Sequence, residues 1–258
     1  MRSSRFAIDT RRNQILKNLY QDGTVNIQEI AREKGVSPLT IRRDLRVLEK
    51  AEKINRFYGG AALNKKETGE VNIFSSGFTQ NKLAIARYAA TFVEDGDTIF
   101  INTSSTAIAI IPFIKARHVT VITNNAKAID AEIPKDVNVI FTGGEIRFPK
   151  EAMVGDFAIT NISTVTAAKC FLGCNGITAH EGVTTAVMQE ASINHLMLTR
   201  VVGPKYILAD KTKIGKHLNF KYGTLEEITL LITDTEAPPH LIEALKKLIE
   251  VHQVEPGK

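Results

Sequence analysis

The sequence has no tryptophan, two cysteines and four methionines in 258 residues. Cys170 and Cys174 are too few for a disulfide framework. With no histidine cluster beside them they also make a poor zinc site. The histidines (118, 180, 195, 217, 240 and 252) are scattered, so no metal is expected. Reduced, partly buried thiols in a cytoplasmic protein fit this usage. No apolar run approaches the roughly 20 residues that a bilayer span needs. The N-terminal MRSSRFAIDTRR lacks the apolar stretch of a secretory signal, and no membrane partner is expected. No GxGxxG follows the first apolar strand, which argues against a dinucleotide; no cofactor is expected.

What is present is ordinary for a soluble globular chain, 43% apolar and 24% charged. The length suits one or two domains. The net charge of +5 is unevenly spread. Residues 1–66 hold 15 of the 33 Lys and Arg and 7 of the 28 Asp and Glu, a balance of +8; the rest carries −3. A basic head on a slightly acidic body suggests that the head meets nucleic acid.

Residues 35–50, GVSPLTIRRDLRVLEK, form the centre of that head. Ser37 is a good N-cap and Pro38 suits the first helical position. Ile41, Leu45 and Leu48 recur at i, i+4, i+7 and make one buried face. Thr40, Arg42, Arg43 and Arg46 fall mostly on the other side. Guanidinium forks there can hold phosphate oxygens, or guanine O6 and N7, two at a time. A solvated charged surface helix fits the same stretch. Upstream, residues 9–20 read as a helix capped by Asp9 or Thr10, with Ile15, Leu16 and Leu19 as its stripe and residues 21–23 as its end. Residues 27–34 read as a short helix capped by Asn26. Two helices joined by a short Gly-containing turn make a helix-turn-helix, whose second member enters the major groove. Residues 53–58 then read as a strand, Gly59-Gly60 as a turn and residues 61–63 as a return. This is a two-stranded wing with Arg56 near its tip, placed for backbone phosphate or the minor groove.

Residues 64–77 are polar, with Gly and Ser and little periodicity, and read as a linker. The expected domains are therefore 1–63, a winged helix-turn-helix, and 78–258, an open, mainly parallel α/β domain. In the second, helices are expected at 80–93, from 106 to about 115, at 125–131 and at 239–251. Strands are expected at 98–101, 118–123, 137–142, 169–172, 206–209 and 228–232. Ligands of such sheets bind beyond the carboxyl ends of the strands, at a switch point of strand order. Small polar clusters fall at those ends. They are Asn102, Thr103, Ser104, Ser105 and Thr106; Thr123 with Asn124; Thr142, Gly143, Gly144 and Glu145, with Arg147 beyond; and Asp210 to Gly215 with Lys213. Hydroxyls and free amides at a helix start suit phosphate, and together the clusters favour an anionic, polyol-like ligand.

The run from Arg11 through VSPLTIRRDLRVL to NRFYGGA resembles the winged helix-turn-helix of DeoR-type bacterial transcription regulators. Ala51-Glu52 and Tyr58 depart from that pattern. The later landmarks TNN at Thr123, TGGEIR at Thr142, FLGCNGI at Phe171, EGVTT at Glu181, QEA at Gln189 and ADKTKIG at Ala209 resemble the family's sensor domain. That domain is similar to ribose-5-phosphate isomerase and binds phosphorylated sugars. The resemblance implies that Ser37, Thr40, Arg42, Arg43 and Arg46 face DNA. It implies a homo-oligomeric regulator, a repressor at family level, that answers a sugar phosphate, with Ser105, Thr106 and Lys213 as the best phosphate contacts. The family's Asp and Gly before the hydroxyl pair are here Asn102 and Ser104, which implies a different sugar or a different seat for phosphate.

Two other readings stand beside this one. An isomerase with an accessory head needs a general base, for which Asp97, Glu145, Glu181 and Asp210 are candidates. A nucleic-acid-binding scaffold with an inert sheet leaves the polar clusters without a role.

Overall fold

The computed structural model describes residues 11–16, 18–19, 24–51, 53–57, 59–63, 79–148 and 150–256. The chain divides into two compact units, Met1–Thr79 and Gln80–Lys258, each with its own apolar core. Asp9, Thr10, residues 20–23, Glu52, Tyr58 and the expected linker lie outside the described residues.

In the first unit α1 is helical at residues 11–16 and 18–19. There follow β1 (Thr24–Asn26), α2 (Ile27–Glu33), α3 (Pro38–Lys50), β2 (Ile54–Phe57) and β3 (Gly60–Leu63). The wing is larger than its sequence suggests, because β1 pairs antiparallel with β3 and makes a three-stranded sheet in the order β1-β3-β2. Asn26 caps α2 by accepting the N–H groups of Gln28 at 2.8 Å and Glu29 at 3.4 Å. Gly35, at φ +61°, supplies the left-handed residue of the turn into α3. Ile41, Leu45 and Leu48 pack with Ile15, Leu19, Ile27, Ile30 and Ile54, so the stripe read from the sequence is the core of the head.

The second unit begins with α4 (Gln80–Ala90), β4 (Thr98–Ile101), the one-turn α5 (Ser105–Ile108), β5 (Val119–Thr123), β6 (Val137–Phe141), the hairpin β7 (Glu145–Arg147) and β8 (Ala152–Val154), and α6 (Asp156–Ser163). It continues with β9 (Lys169–Gly173), β10 (Gly176–Thr178), β11 (Gly182–Thr185), α7 (Met188–Thr199), β12 (Lys205–Leu208), β13 (Phe220–Gly223), β14 (Leu230–Asp234), α8 (Pro239–Lys246) and β15 (Glu250–Val254). Seven strands form one sheet in the order β15-β14-β12-β9-β4-β5-β6, every neighbouring pair parallel. The chain winds outward from β4 to β6, then returns to the other side of β4 and winds outward again from β9. The switch in strand order therefore lies between β4 and β9, which places the crevice for a ligand beyond Ile101 and Gly173. A small antiparallel sheet, β10-β11-β13, stands beside it.

Three expected helices differ. Pro112 has no N–H to continue the turn begun by α5, and a 3-10 turn at Ile111–Phe113 replaces the longer helix. A 3-10 turn at Ala126–Asp130 replaces the helix at 125–131. The closing helix ends at Lys246, and residues 250–254 become β15, parallel to β14; Ile249 and Val251 fit a two-residue period as well as a helical one.

Candidate functional site

The first candidate surface is the outer face of α3. Ser37 Oγ accepts the Thr40 N–H at 3.2 Å and lies 2.9 Å from Thr40 Oγ1, so both residues shape the helix entry. Asp44 turns inward. Its carboxylate, 2% exposed, receives Arg11 Nε at 2.7 Å and Arg12 Nε at 3.0 Å. Two cations of α1 are thereby spent on fastening α3. Arg56 sits on β2 opposite Ala61, one residue pair from the β2–β3 turn, and its Nε lies 2.7 Å from Glu49 Oε2. That ion pair ties the wing to α3. Arg42, Arg43 and Arg46 are exposed, and among the described residues none of the three is ion-paired. Their i, i+3 and i, i+4 spacing sets them on one face, a surface of three guanidinium groups.

The second candidate site is the crevice between β4 and β9. Asn102 spans it. Its Nδ2 donates to the Gly173 carbonyl at 2.9 Å and to Asn194 Oδ1 at 3.1 Å. Its Oδ1 accepts the N–H groups of Ser104 at 3.2 Å and Gly173 at 3.0 Å. All four hydrogen-bonding positions of the amide are used inside the protein. Asn102 is thus a clamp across the switch point. Tyr222 Oη also donates to the Gly173 carbonyl, at 3.0 Å. A Cβ on residue 173 would lie 1.9 Å from Ser104 Oγ, so only glycine lets the two loops close this way. Ser104 caps α5; Ser105 is half-buried and Thr106 buried.

Beyond β12, Asp210 accepts the Thr212 N–H at 2.8 Å and the Thr212 hydroxyl, which folds the Asp210–Lys213 loop. Lys82, in the first turn of α4, joins this group. Burial holds its ammonium below the ordinary lysine value; Asp210 opposes that shift and Lys213 adds to it. A half-buried lysine beside a second lysine and one carboxylate suits a dianionic phosphate. Lys82 escaped the sequence reading because it lies far from any strand end along the chain.

The matches to known families fall on the same two units. Residues 11–67 match the DeoR-like helix-turn-helix domain, and residues 78–235 match the DeoR C terminal sensor domain. The chain belongs to the DeoR family of transcriptional regulators. Relatives include a Lactose phosphotransferase system repressor of Lactococcus lactis subsp. lactis, 34% identical over 90% of this chain and 93% of its own. The HTH-type transcriptional regulator GolR of Listeria innocua is 34% identical over 88% of this chain and 90% of its own. A ribose 5-phosphate isomerase A structure from Methanocaldococcus jannaschii covers 51% of this chain and 52% of its own at TM-score 0.37 and 16% identity.

Within this DeoR-family sensor unit the remaining expected contacts spread along the crevice. Asn124 is buried and donates to the Met153 carbonyl at 3.1 Å. Gly143 and Gly144, both at positive φ, turn the chain after β6. Arg147, on β7, lies 3.7 Å from Glu190 Oε1. Of the four candidate bases Asp210 follows the carboxyl end of β12 and Glu145 that of β6. Asp97 precedes β4 at the opposite edge and pairs with Lys169 at 2.8 Å. Hydrogen bonds to Asp97 and Glu94 there outweigh burial and raise the Lys169 pKa. Glu145 and Glu181 are exposed. Among the described residues no group of three or more His, Cys, Asp or Glu is placed to hold a metal ion, and no helix is long and apolar enough to cross a membrane.

Proposed function

We propose that this DeoR-family chain is a cytoplasmic repressor of sugar-utilisation genes, without enzymatic activity, whose operator affinity is set by a phosphorylated sugar. The observation that carries the reading is a division of cations. Arg42, Arg43 and Arg46 stand exposed on one face of α3, and the partly buried Lys82 and Lys213 lie within electrostatic reach of each other and of Asp210. The first set suits the major groove, with Ser37 and Thr40 at the helix entry and Arg56 holding the wing beside it. The second set suits a phosphate, with Ser105, Thr106 and the crevice amides around it. Several relatives bear the name Lactose phosphotransferase system repressor, which favours a sugar-uptake operon as the target.

In this reading a homo-oligomer presents two α3 helices to repeated half-sites. The sugar phosphate favours one arrangement of the subunits over another, and linkage of that kind amounts to about 1–3 kcal/mol. The test is operator binding by the full chain with and without pentose and hexose phosphates, alongside isomerase assays on the same compounds. Operator affinity that changes with one sugar phosphate, without turnover, supports the proposal. Turnover at ordinary enzyme rates refutes the regulator-only part of it. Lys213→Ala separates the two sites: it keeps DNA binding and loses the effector response, and a retained response moves the phosphate elsewhere.

A further inference from the structure

The motif QEA places Glu190 in the first turn of α7, one helical turn before the Asn194 that meets Asn102 at the switch point. Glu190 is 3% exposed, a costly position for a carboxylate unless cations and donors surround it. They do so on one side only. Oε2 receives Lys150 Nζ at 2.8 Å and the Thr185 hydroxyl at 3.2 Å. Thr185 also reaches Asn175 Oδ1 at 2.8 Å, just past the end of β9. Among the described residues no donor reaches Oε1; the nearer guanidinium nitrogen of Arg147, at 3.7 Å, is an ion-pair neighbour only. Asn124, fully buried at the end of β5, is in the same state: its Nδ2 is used by Met153 and its Oδ1 has no donor.

Two buried acceptor atoms without donors thus lie on the β5, β9 and α7 side of the crevice. The two lysines that suit a phosphate lie on the α4 and β12 side. A phosphate group is itself an acceptor and carries negative charge, so Glu190 repels it. Hydroxyl groups are what this end lacks, since each brings an O–H for an acceptor-only carboxylate. The cations Arg147 and Lys150, carried on the β7–β8 hairpin, flank the carboxylate and leave Oε1 to the ligand.

We propose that Glu190 is the residue that reads the effector's hydroxyl groups, with Asn124 beside it, and so fixes a polyhydroxylated phosphate with its phosphate toward Lys82 and Lys213 and its sugar end toward α7. This rests on the sugar-phosphate reading above and adds the orientation and the specificity-determining side chain. A carboxylate that accepts from a ligand hydroxyl discriminates strongly against an analogue that lacks it, because the buried acceptor is then left unpaired. A fold-holding ion pair between hairpin and helix is the competing account, and it predicts no such discrimination.

The test is calorimetric titration of the full chain, wild type and Glu190→Gln, with inorganic phosphate, ribose 5-phosphate, glucose 6-phosphate, galactose 6-phosphate and fructose 1-phosphate, then with deoxy analogues of the tightest binder. The expected result has two parts. Inorganic phosphate binds both proteins alike. The sugar phosphate binds the wild type at least about tenfold tighter than a deoxy analogue lacking one hydroxyl remote from the phosphate, and Glu190→Gln abolishes that preference. Should the variant fail to fold, the deoxy series on the wild type still decides, since equal binding of every deoxy analogue overturns the proposal. Discrimination that survives intact in Glu190→Gln also overturns it, while leaving the effector reading standing. A wild type that binds phosphate but none of the sugars tighter than phosphate overturns both.

Discussion

Replacing Asp44 by Ala removes the one buried carboxylate among the described residues of the head. It lies 2.7 Å from Arg11 Nε and 3.0 Å from Arg12 Nε, both cations carried by α1. A hydrogen bond involving a charged group contributes about 1.5–3 kcal/mol, and breaking a fully buried pair costs about 3–5 kcal/mol. Here the arginine side chains keep 11% and 25% of their exposure, so after the substitution they retain some water. The expected loss is therefore about 2–4 kcal/mol. A domain of this size has only a few kcal/mol in hand, so the head unfolds for a large part of the time while the sensor unit is unaffected. Thermal unfolding followed by circular dichroism, with operator binding measured across the same temperatures, separates the two units. The account predicts that DNA binding disappears at a lower temperature in Asp44→Ala and that the main sensor transition does not move. A head that unfolds within about 0.5 kcal/mol of the wild type would show that the Asp44 cluster does not hold α1 to α3.

Other consequences are simpler to read. Arg43→Ala is expected to weaken operator binding by about 1–3 kcal/mol with little effect on random DNA, if the guanidinium reads a base; equal loss on both assigns it to phosphate. Gly173→Ala drives a methyl into Ser104 and is expected to cost about 1–3 kcal/mol of sensor stability and most effector binding; an unchanged melting temperature refutes the clamp geometry. Phosphate affinity should fall as pH rises toward the ordinary lysine value, because burial lowers the Lys82 pKa and the bound anion needs the ammonium. Lys82→Arg should remove that fall, and an identical pH profile in the variant excludes Lys82 from the site. Burial pushes the thiol of Cys170 up to about 12, so alkylation of Cys170 in the native chain at neutral pH should be roughly a thousandfold slower than that of an ordinary thiol; labelling of Cys170 at the unfolded rate contradicts its burial.

The head was legible because its signals are local. Ser37-Pro38, Asn26 and the 41-45-48 stripe each act within one or two turns of chain, and each reappears in the structure. The role of Asp44 was not legible, since its partners lie 32 and 33 residues upstream. Six of the seven parallel strands were legible as apolar runs bounded by polar clusters, whereas β15 was expected as the end of a helix. The order of those strands, and hence the switch point, was not, because register depends on pairings between distant segments. α7 escaped for a different reason. Its buried face carries Glu190 and Asn194 among Ala191, Ile193, Met197 and Leu198, and its exposed face begins with Met188, so polar and apolar residues do not separate by face in the sequence. Asn102 was expected among the ligand contacts from its position after β4, but its four internal bonds could be seen only once Gly173 and Asn194 were placed around it.

The proposed function has α3 binding duplex DNA and a sugar phosphate in the crevice changing that affinity. The most direct measurement is fluorescence anisotropy of labelled DNA from upstream of the chain's own gene and its neighbours, titrated with the full chain with and without the sugar phosphate that binds it most tightly. The account predicts saturable binding that shifts by about 5- to 150-fold when the sugar phosphate is added. No binding to any duplex at low salt, with the head folded, or binding that no sugar phosphate alters, contradicts it.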